Sequence, residues 1–148
     1  MTPRATVRGR DGAGLGWLLD GLIDRVAGID MAVLLSAVGL LLSGSTGMTV
    51  ETAEHLSATG SALVGLARST GRRFGRGRVH QAAIEMDGGY LLVTSAGSGT
   101  CLAVVTGPDA DIGLVVYEMH VLVRRVGSHL GVGARRGRPA AATGSGDA

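Results

Sequence analysis

The chain of 148 residues has no lysine, a single cysteine, three prolines and few aromatic residues. Without lysine it cannot use the lysine of a phosphate-binding P-loop, a Schiff-base lysine or a kinase-type lysine. One cysteine, Cys101, allows no disulfide within the chain, which favours a reducing compartment. Aromatic residues make up only 3% of the chain, so a core has to be built from aliphatic side chains.

The charges are distributed unevenly along the chain. Residues 1–10 and 135–148 carry six arginines against one aspartate, whereas residues 11–134 carry eight arginines against eleven carboxylates. The basic character therefore belongs to the ends, and the sequence supports no nucleic-acid partner for the body. We expect a disordered basic arm over residues 1–12, one domain over residues 13–131 and a disordered tail over residues 132–148.

The most apolar stretch is MAVLLSAVGLLLSGS, residues 31–45. A membrane-spanning helix needs about 20 apolar residues, and this stretch is shorter and is interrupted in the middle. Its two halves have the length of strands, so we predict a hairpin with its turn at residues 37–39. Continuous apolarity predicts a sheet covered on both faces. No secretory signal is visible, and a cytoplasmic location is expected.

Hydrophobic spacing predicts three helices and five strands. The first helical stripe runs from Leu15 to Val26, and the second helix begins at Thr49 as N-cap. Three strand-like runs follow, joined by hairpins at DGGY (residues 87–90) and at residues 97–99, and a last helix carries apolar residues from Ile112 to Leu130. The predicted fold class is α+β: an α/β/α sandwich of order α-β-β-α-β-β-β-α, profilin-like, with a five-stranded antiparallel sheet.

Residues that carry chemistry form no recognisable site. The four histidines lack the spacing of metal ligands, no nucleophile–base pair can be assembled, and GSGT at residues 97–100 lacks the lysine of a phosphate loop. We therefore expect no enzyme activity, no cofactor and no metal. Five arginines between residues 68 and 78 are typical of a solvated helix end, with a nucleic acid or an acidic protein partner as alternatives.

The second helix carries small residues on one side. Gly60 lies beside a stripe formed by Ser57, Ser61, Val64 and Arg68. Small residues allow another backbone to approach, and glycine inside a helix costs about 1 kcal/mol relative to alanine. Two interpretations remain open, and they are compatible on different faces: the helix lies flat on its own sheet, or it forms the seam of a helix–helix dimer.

With this element order, the chain resembles the Roadblock/dynein light chain family, in the MglB-like bacterial type that partners a small GTPase. The resemblance extends from Leu15 to about Leu130. The segment LGWLLDGLIDRVAGID is similar to the first helix of the family and AVLLSAVGLLLSGS to its first hairpin. The run from ETAEHLSATG to CLAVV, residues 51–105, is similar to the actinobacterial (conservon) branch, whose genes cluster with those of a GTPase and a sensor-kinase-like membrane protein.

The resemblance implies a function. Members of this family are non-catalytic homodimers that bind a Ras-like small GTPase and alter its nucleotide cycle. The dimer would extend the sheet across the strand Val79–Met86 and pack the second helices together. A membrane sensor-kinase-like protein is a further expected partner, with membrane recruitment through partners. The candidate interface residues are Ser57, Gly60, Ser61, Val64, Arg68, Val79, Gln81 and Ala83.

One position departs from the family pattern. The first hairpin of the family usually turns at Ser-x-Asp-Gly, and this chain has Val38 in place of the aspartate. Valine is β-branched and is a poor turn residue, so the turn type is the uncertain part of the predicted hairpin. A PAS- or GAF-type small-molecule sensor is the alternative function, and it requires a roomy pocket with a few polar groups. A profilin-like protein with another partner is a third possibility.

Overall fold

The computed structural model describes Thr6, residues 14–96 and residues 99–137. The strands of this part form one antiparallel five-stranded sheet in the order β2-β1-β5-β4-β3. Three helices cover it, which confirms the predicted α+β fold class. In chain order the elements are α1 (Gly16–Arg25), β1 (Ile29–Ser36), β2 (Leu41–Gly44), α2 (Val50–Arg73), β3 (Gln81–Met86), β4 (Gly89–Ser95), β5 (Thr100–Thr106) and α3 (Ile112–Gly137).

The central strands β1, β4 and β5 are buried on both faces of the sheet, as the apolar stretch at residues 31–45 predicted for β1. In β1, Ala32 and Leu34 belong to the core under α1 and α3, whereas Val33 and Leu35 belong to the core under α2. Successive side chains of a strand point to opposite faces, so a strand between two helical layers must be apolar at every position. The same division continues in β5, which pairs with β1, and in β4, which pairs with β5.

The first hairpin forms despite the valine in its turn. The amide of Gly39 donates to the carbonyl of Ser36 at 2.9 Å, and the amide of Ser36 donates to the carbonyl of Leu40 at 2.9 Å. Gly39 has φ +88°, so the left-handed conformation falls on the residue that tolerates it. Val38 is 80% exposed. The turn therefore depends on the glycine, and the valine projects into solvent.

The other two hairpins agree with the predictions. Met86 pairs with Gly89, which leaves Asp87 and Gly88 as a two-residue loop between β3 and β4. The amide of Ala96 donates to the carbonyl of Thr100 at 2.8 Å and closes the hairpin between β4 and β5, whose residues 97 and 98 lie outside the described part.

Both ends of the domain differ in detail from the composition-based boundaries. Of the predicted arm only Thr6 is described, and it forms an isolated β-bridge with Thr49. At the other end α3 continues to Gly137, six residues into the segment predicted as a tail from residue 132. Residues 138–148 lie outside the described residues. The domain boundaries stay predictions.

In the part of the chain that the structure describes, no helix combines the length and apolarity needed to cross a bilayer.

Candidate functional site

Strand β3 lies at one edge of the sheet and is open to solvent. It pairs with β4 on one side, and no described strand pairs with its other side. Five of its six residues are exposed, the exception being Ala82. An edge of this kind presents unpaired backbone N–H and C=O groups, which are a template for pairing with another strand.

An apolar surface accompanies this edge on the α2 side of the sheet. Leu63 and Ala82 are partly buried against the core under α2. Ile84 and Met86 follow Ala82 at a spacing of two and share its face, and Leu66 lies one turn after Leu63 on α2. The exposed fractions are 70% for Leu66, 40% for Ile84 and 48% for Met86. We call Leu66, Ile84 and Met86 the α2–β3 surface.

Three of the predicted interface residues belong to the core instead. Ser57 and Val64 are buried, and a Cβ added to Gly60 would meet Leu35 and Ala103 at 3.5 Å. Ser57 Oγ donates to the carbonyl of the residue four positions earlier at 2.8 Å, so its hydroxyl is satisfied inside α2. This is a correction: the small-residue stripe fits α2 against its own sheet. These three residues therefore pack α2 on its own sheet and do not form a helix–helix dimer seam.

The other predicted residues lie at the surface in three places. Ser61 Oγ donates to the carbonyl of Ala37 at 3.0 Å and fixes the first hairpin on α2. Gln81 Oε1 lies 3.2 Å from Nε2 of His120 on α3, and Ala83 is exposed on the edge strand. Arg68 and Val79 line a groove at the end of α2. The structure thus brings together Val79, Gln81 and Ala83 on the segment that contains β3.

The α2–β3 surface was not among the predicted site residues. The alternation in the sequence already placed Ile84 and Met86 on one face of the strand. The alternation does not show how much of this face of the sheet α2 covers. In the structure, α2 leaves the part of the face at Ile84 and Met86 exposed to solvent. Their apolar character at the edge of the sheet was the available signal.

A groove lies beside Arg68. It has a volume of about 530 Å³ and lies between the end of α2, the following loop and the ends of β3 and β4. We call it the arginine groove. Its described lining consists of Arg68, Gly71, Arg72, Gly75, Gly77, Arg78, Val79 and Ser95.

Cys101 is buried in the core under α2. Burial raises the pKa of the Cys101 thiol, and the nearby positive charge of Arg68 and a hydrogen bond with Ser95 offset this only in part. A buried thiol with a raised pKa is a weak nucleophile, so Cys101 acts as a core residue. Among the described residues no group of three or more histidine, cysteine or acidic side chains is placed to hold a metal ion.

These features define the class of protein: a three-layer α+β domain in which β3 is a solvent-exposed edge strand of the sheet. The chain belongs to the Roadblock/LC7 domain family, whose model matches residues 15–106. This confirms the predicted family and decides against the PAS- or GAF-type alternative.

Known proteins support the assignment. The crystal structure of a Roadblock/LC7 domain from Streptomyces avermitilis is 46% identical, with a TM-score of 0.75, and the match covers 78% of this chain and 97% of that one. Myxococcus xanthus MglB shares the fold at 16% identity, with a TM-score of 0.73, over 80% of this chain and 95% of that one. The uncharacterized protein MJ0310 of Methanocaldococcus jannaschii is 30% identical over 97 residues, which cover 66% of this chain and 83% of that protein.

Proposed function

We propose that the chain is a non-catalytic homodimeric adaptor that binds a Ras-like small GTPase and regulates or scaffolds it. The family membership carries this proposal, and the fold shared with MglB supports it. The adaptor is cytoplasmic and reaches the membrane only through a partner such as a sensor-kinase-like membrane protein.

The dimer contact in this proposal is β3 together with the α2–β3 surface. Antiparallel pairing of two β3 edges satisfies the free backbone groups of both strands. It also brings two copies of α2 near each other on the same face of the extended sheet. Leu66, Ile84 and Met86 then lose solvent contact, which explains large apolar side chains at exposed positions.

Charge supports the antiparallel arrangement. The segment before β3 carries Arg76 and His80, whereas Glu85 and Asp87 lie at its end. Antiparallel pairing places the basic start of one strand near the acidic end of the other. A parallel arrangement would place like charges together. The edge is thus complementary to itself, as a two-fold symmetric interface requires.

Regulation follows from differential binding and needs no catalytic group on this chain. A small GTPase changes the conformation of its switch segments with the bound nucleotide. An adaptor that binds one conformation more tightly shifts the population toward it by the ratio of the two affinities. No arginine finger is required for this effect.

The dimer contact is tested by sedimentation velocity with Ile84→Asp. Ile84 is 40% exposed, so the aspartate is tolerated in the single chain but places two carboxylates in the paired edge. We expect a dimer for the parent protein and a monomer for the variant. Leu40→Asp is the matched control, because Leu40 is 64% exposed at the tip of the first hairpin. A dimer that survives Ile84→Asp, or one that Leu40→Asp disrupts equally, rejects this contact.

Partner binding is tested by pull-down with a Ras-like GTPase encoded beside this protein. The GTPase is loaded with GDP in one arm and with a non-hydrolysable GTP analogue in the other. We expect retention in one nucleotide state in preference to the other. Retention in neither state would reject the adaptor function, whatever the oligomeric state.

A further inference from the structure

The arginine groove concentrates positive charge without compensation. Arg68, Arg72 and Arg78 line it, and none of its described lining residues is acidic. In the sequence no aspartate or glutamate occurs between Glu54 and Glu85. Within the described residues none of the three arginines forms an ion pair. Among the described residues, no negative charge in the lining neutralises the three arginines.

The backbone holds the three arginines in place. Arg68 and Arg72 are one helical turn apart on α2 and share a face. The chain then reverses through a Schellman motif, in which the amide of Arg76 donates to the carbonyl of Gly71 at 2.8 Å and the amide of Gly75 to that of Arg72 at 3.4 Å. This reversal returns Arg78 to the same groove. An anion that binds here meets side chains whose attachment points are already fixed.

Stabilisation of the helix end does not account for the arrangement. Arginine in the last turn of a helix complements the helix dipole, and Arg72 and Arg73 both qualify. Arg78 lies outside the helix, however, and Arg68 lies more than a turn before its end. Like charges one turn apart also repel each other. A bound anion explains why these particular arginines converge.

We propose that the arginine groove binds a phosphate-bearing anion. Guanidinium groups form paired hydrogen bonds with phosphate oxygens, and a phosphate monoester carries close to two negative charges and three acceptor oxygens. The volume of about 530 Å³ lies within the range of small-molecule sites, and the glycines of the lining let a ligand approach the backbone. No aromatic ring is among the described lining residues, so the groove offers no stacking platform for nucleic-acid bases.

The test is calorimetric titration of the full chain with inorganic pyrophosphate at low salt. We expect saturable binding of one pyrophosphate per chain, weakened by added salt. Arg72→Gln and Arg78→Gln each lower the affinity about tenfold or more, the expected effect of losing one charge-assisted hydrogen bond. Arg73→Gln is the matched control: it removes the same charge from the neighbouring position, and Arg73 is not a described lining residue. We expect this variant to bind like the parent.

A second arm identifies the source of the phosphate. Cosedimentation with vesicles of phosphatidic acid in phosphatidylcholine reports a lipid headgroup, and loss of cosedimentation in Arg78→Gln but not in Arg73→Gln assigns it to the groove. Binding of pyrophosphate without vesicles indicates a soluble phosphate compound. Absence of both, or equal losses in all variants, overturns the proposal. A change from dimer to monomer in Arg78→Gln also overturns it, because the groove would then belong to the contact between two copies.

Discussion

Replacement of two glycines of α2 by alanine should have opposite effects on the free energy of unfolding. A Cβ added to Gly71 would lie 2.6 Å from the carbonyl oxygen of Gly77, which is a backbone atom and cannot move aside as a flexible side chain can. A Cβ added to Gly65 would have no atom of the described residues within 4 Å. Gly71→Ala therefore tests whether the loop after α2 is packed against the helix, and Gly65→Ala supplies the effect of alanine alone.

The magnitude can be worked out from these contacts. Alanine in place of glycine inside a helix stabilises by about 1 kcal/mol, which is the whole effect expected for Gly65→Ala. In Gly71→Ala the overlap must be relieved by moving the loop, at an overpacking cost of about 1–3 kcal/mol. The hydrogen bond from Arg76 to Gly71 is lost as well, at about 1 kcal/mol. Gly71→Ala should therefore destabilise by about 1–3 kcal/mol after its helix gain, or about 2 kcal/mol at the central values.

Urea denaturation of both variants at one protein concentration measures the difference. We expect the free energies of unfolding to differ by about 2–4 kcal/mol, with unchanged slopes, and the two midpoints to separate by about 1 M or more. If Gly71→Ala is as stable as Gly65→Ala, the loop does not pack on the helix. The geometry of the arginine groove would then be incorrect.

Three further predictions concern single residues. Gly89→Ala should unfold or severely destabilise the chain, because its Cβ would collide with the carbonyl of Thr106, whereas Gly88→Ala, with nothing described within 4 Å, should change the melting temperature little. Cys101 should react with a thiol reagent only on unfolding. The pKa of this thiol is raised in the folded state, so the free energy of unfolding should fall as the pH rises above the ordinary thiol pKa of about 8.5. Cys101→Ala should remove this decrease. Thr49→Ala should cost about 1 kcal/mol in urea titration through loss of the α2 cap, and an unchanged midpoint would contradict the capping role.

Hydrophobic spacing was sufficient to predict the layers of this fold. Continuous apolarity in residues 31–45 indicates a strand between two helical layers, and β1 is buried on both faces. The two-residue loop after Met86 follows from its Asp-Gly sequence. The first hairpin also forms, although Val38 stands where the family usually has aspartate, because the positive φ falls on Gly39. The residues that determine these strands and turns lie within the elements themselves, so the local sequence is sufficient to predict them.

The neighbours of α2 could not be predicted in the same way. A stripe of small residues permits close approach but does not say what approaches, so Ser57, Gly60 and Val64 suited a partner helix as well as a sheet. The arginine groove was also hidden. Its third arginine arrives only after the chain reverses at Gly75, and this depends on contacts between backbone groups that residue spacing does not encode. From the sequence, Arg78 is therefore interpreted as part of a solvated run of arginines.

We propose that a dimer of this chain recognises the nucleotide state of a Ras-like GTPase. Light scattering of the chain mixed with that GTPase, loaded with GDP or a non-hydrolysable GTP analogue, counts both components in one measurement. We expect a complex that contains two copies of this chain and that forms preferentially with the GTPase in one of its two nucleotide states. A mixture in which the two proteins elute separately with both nucleotides would contradict it.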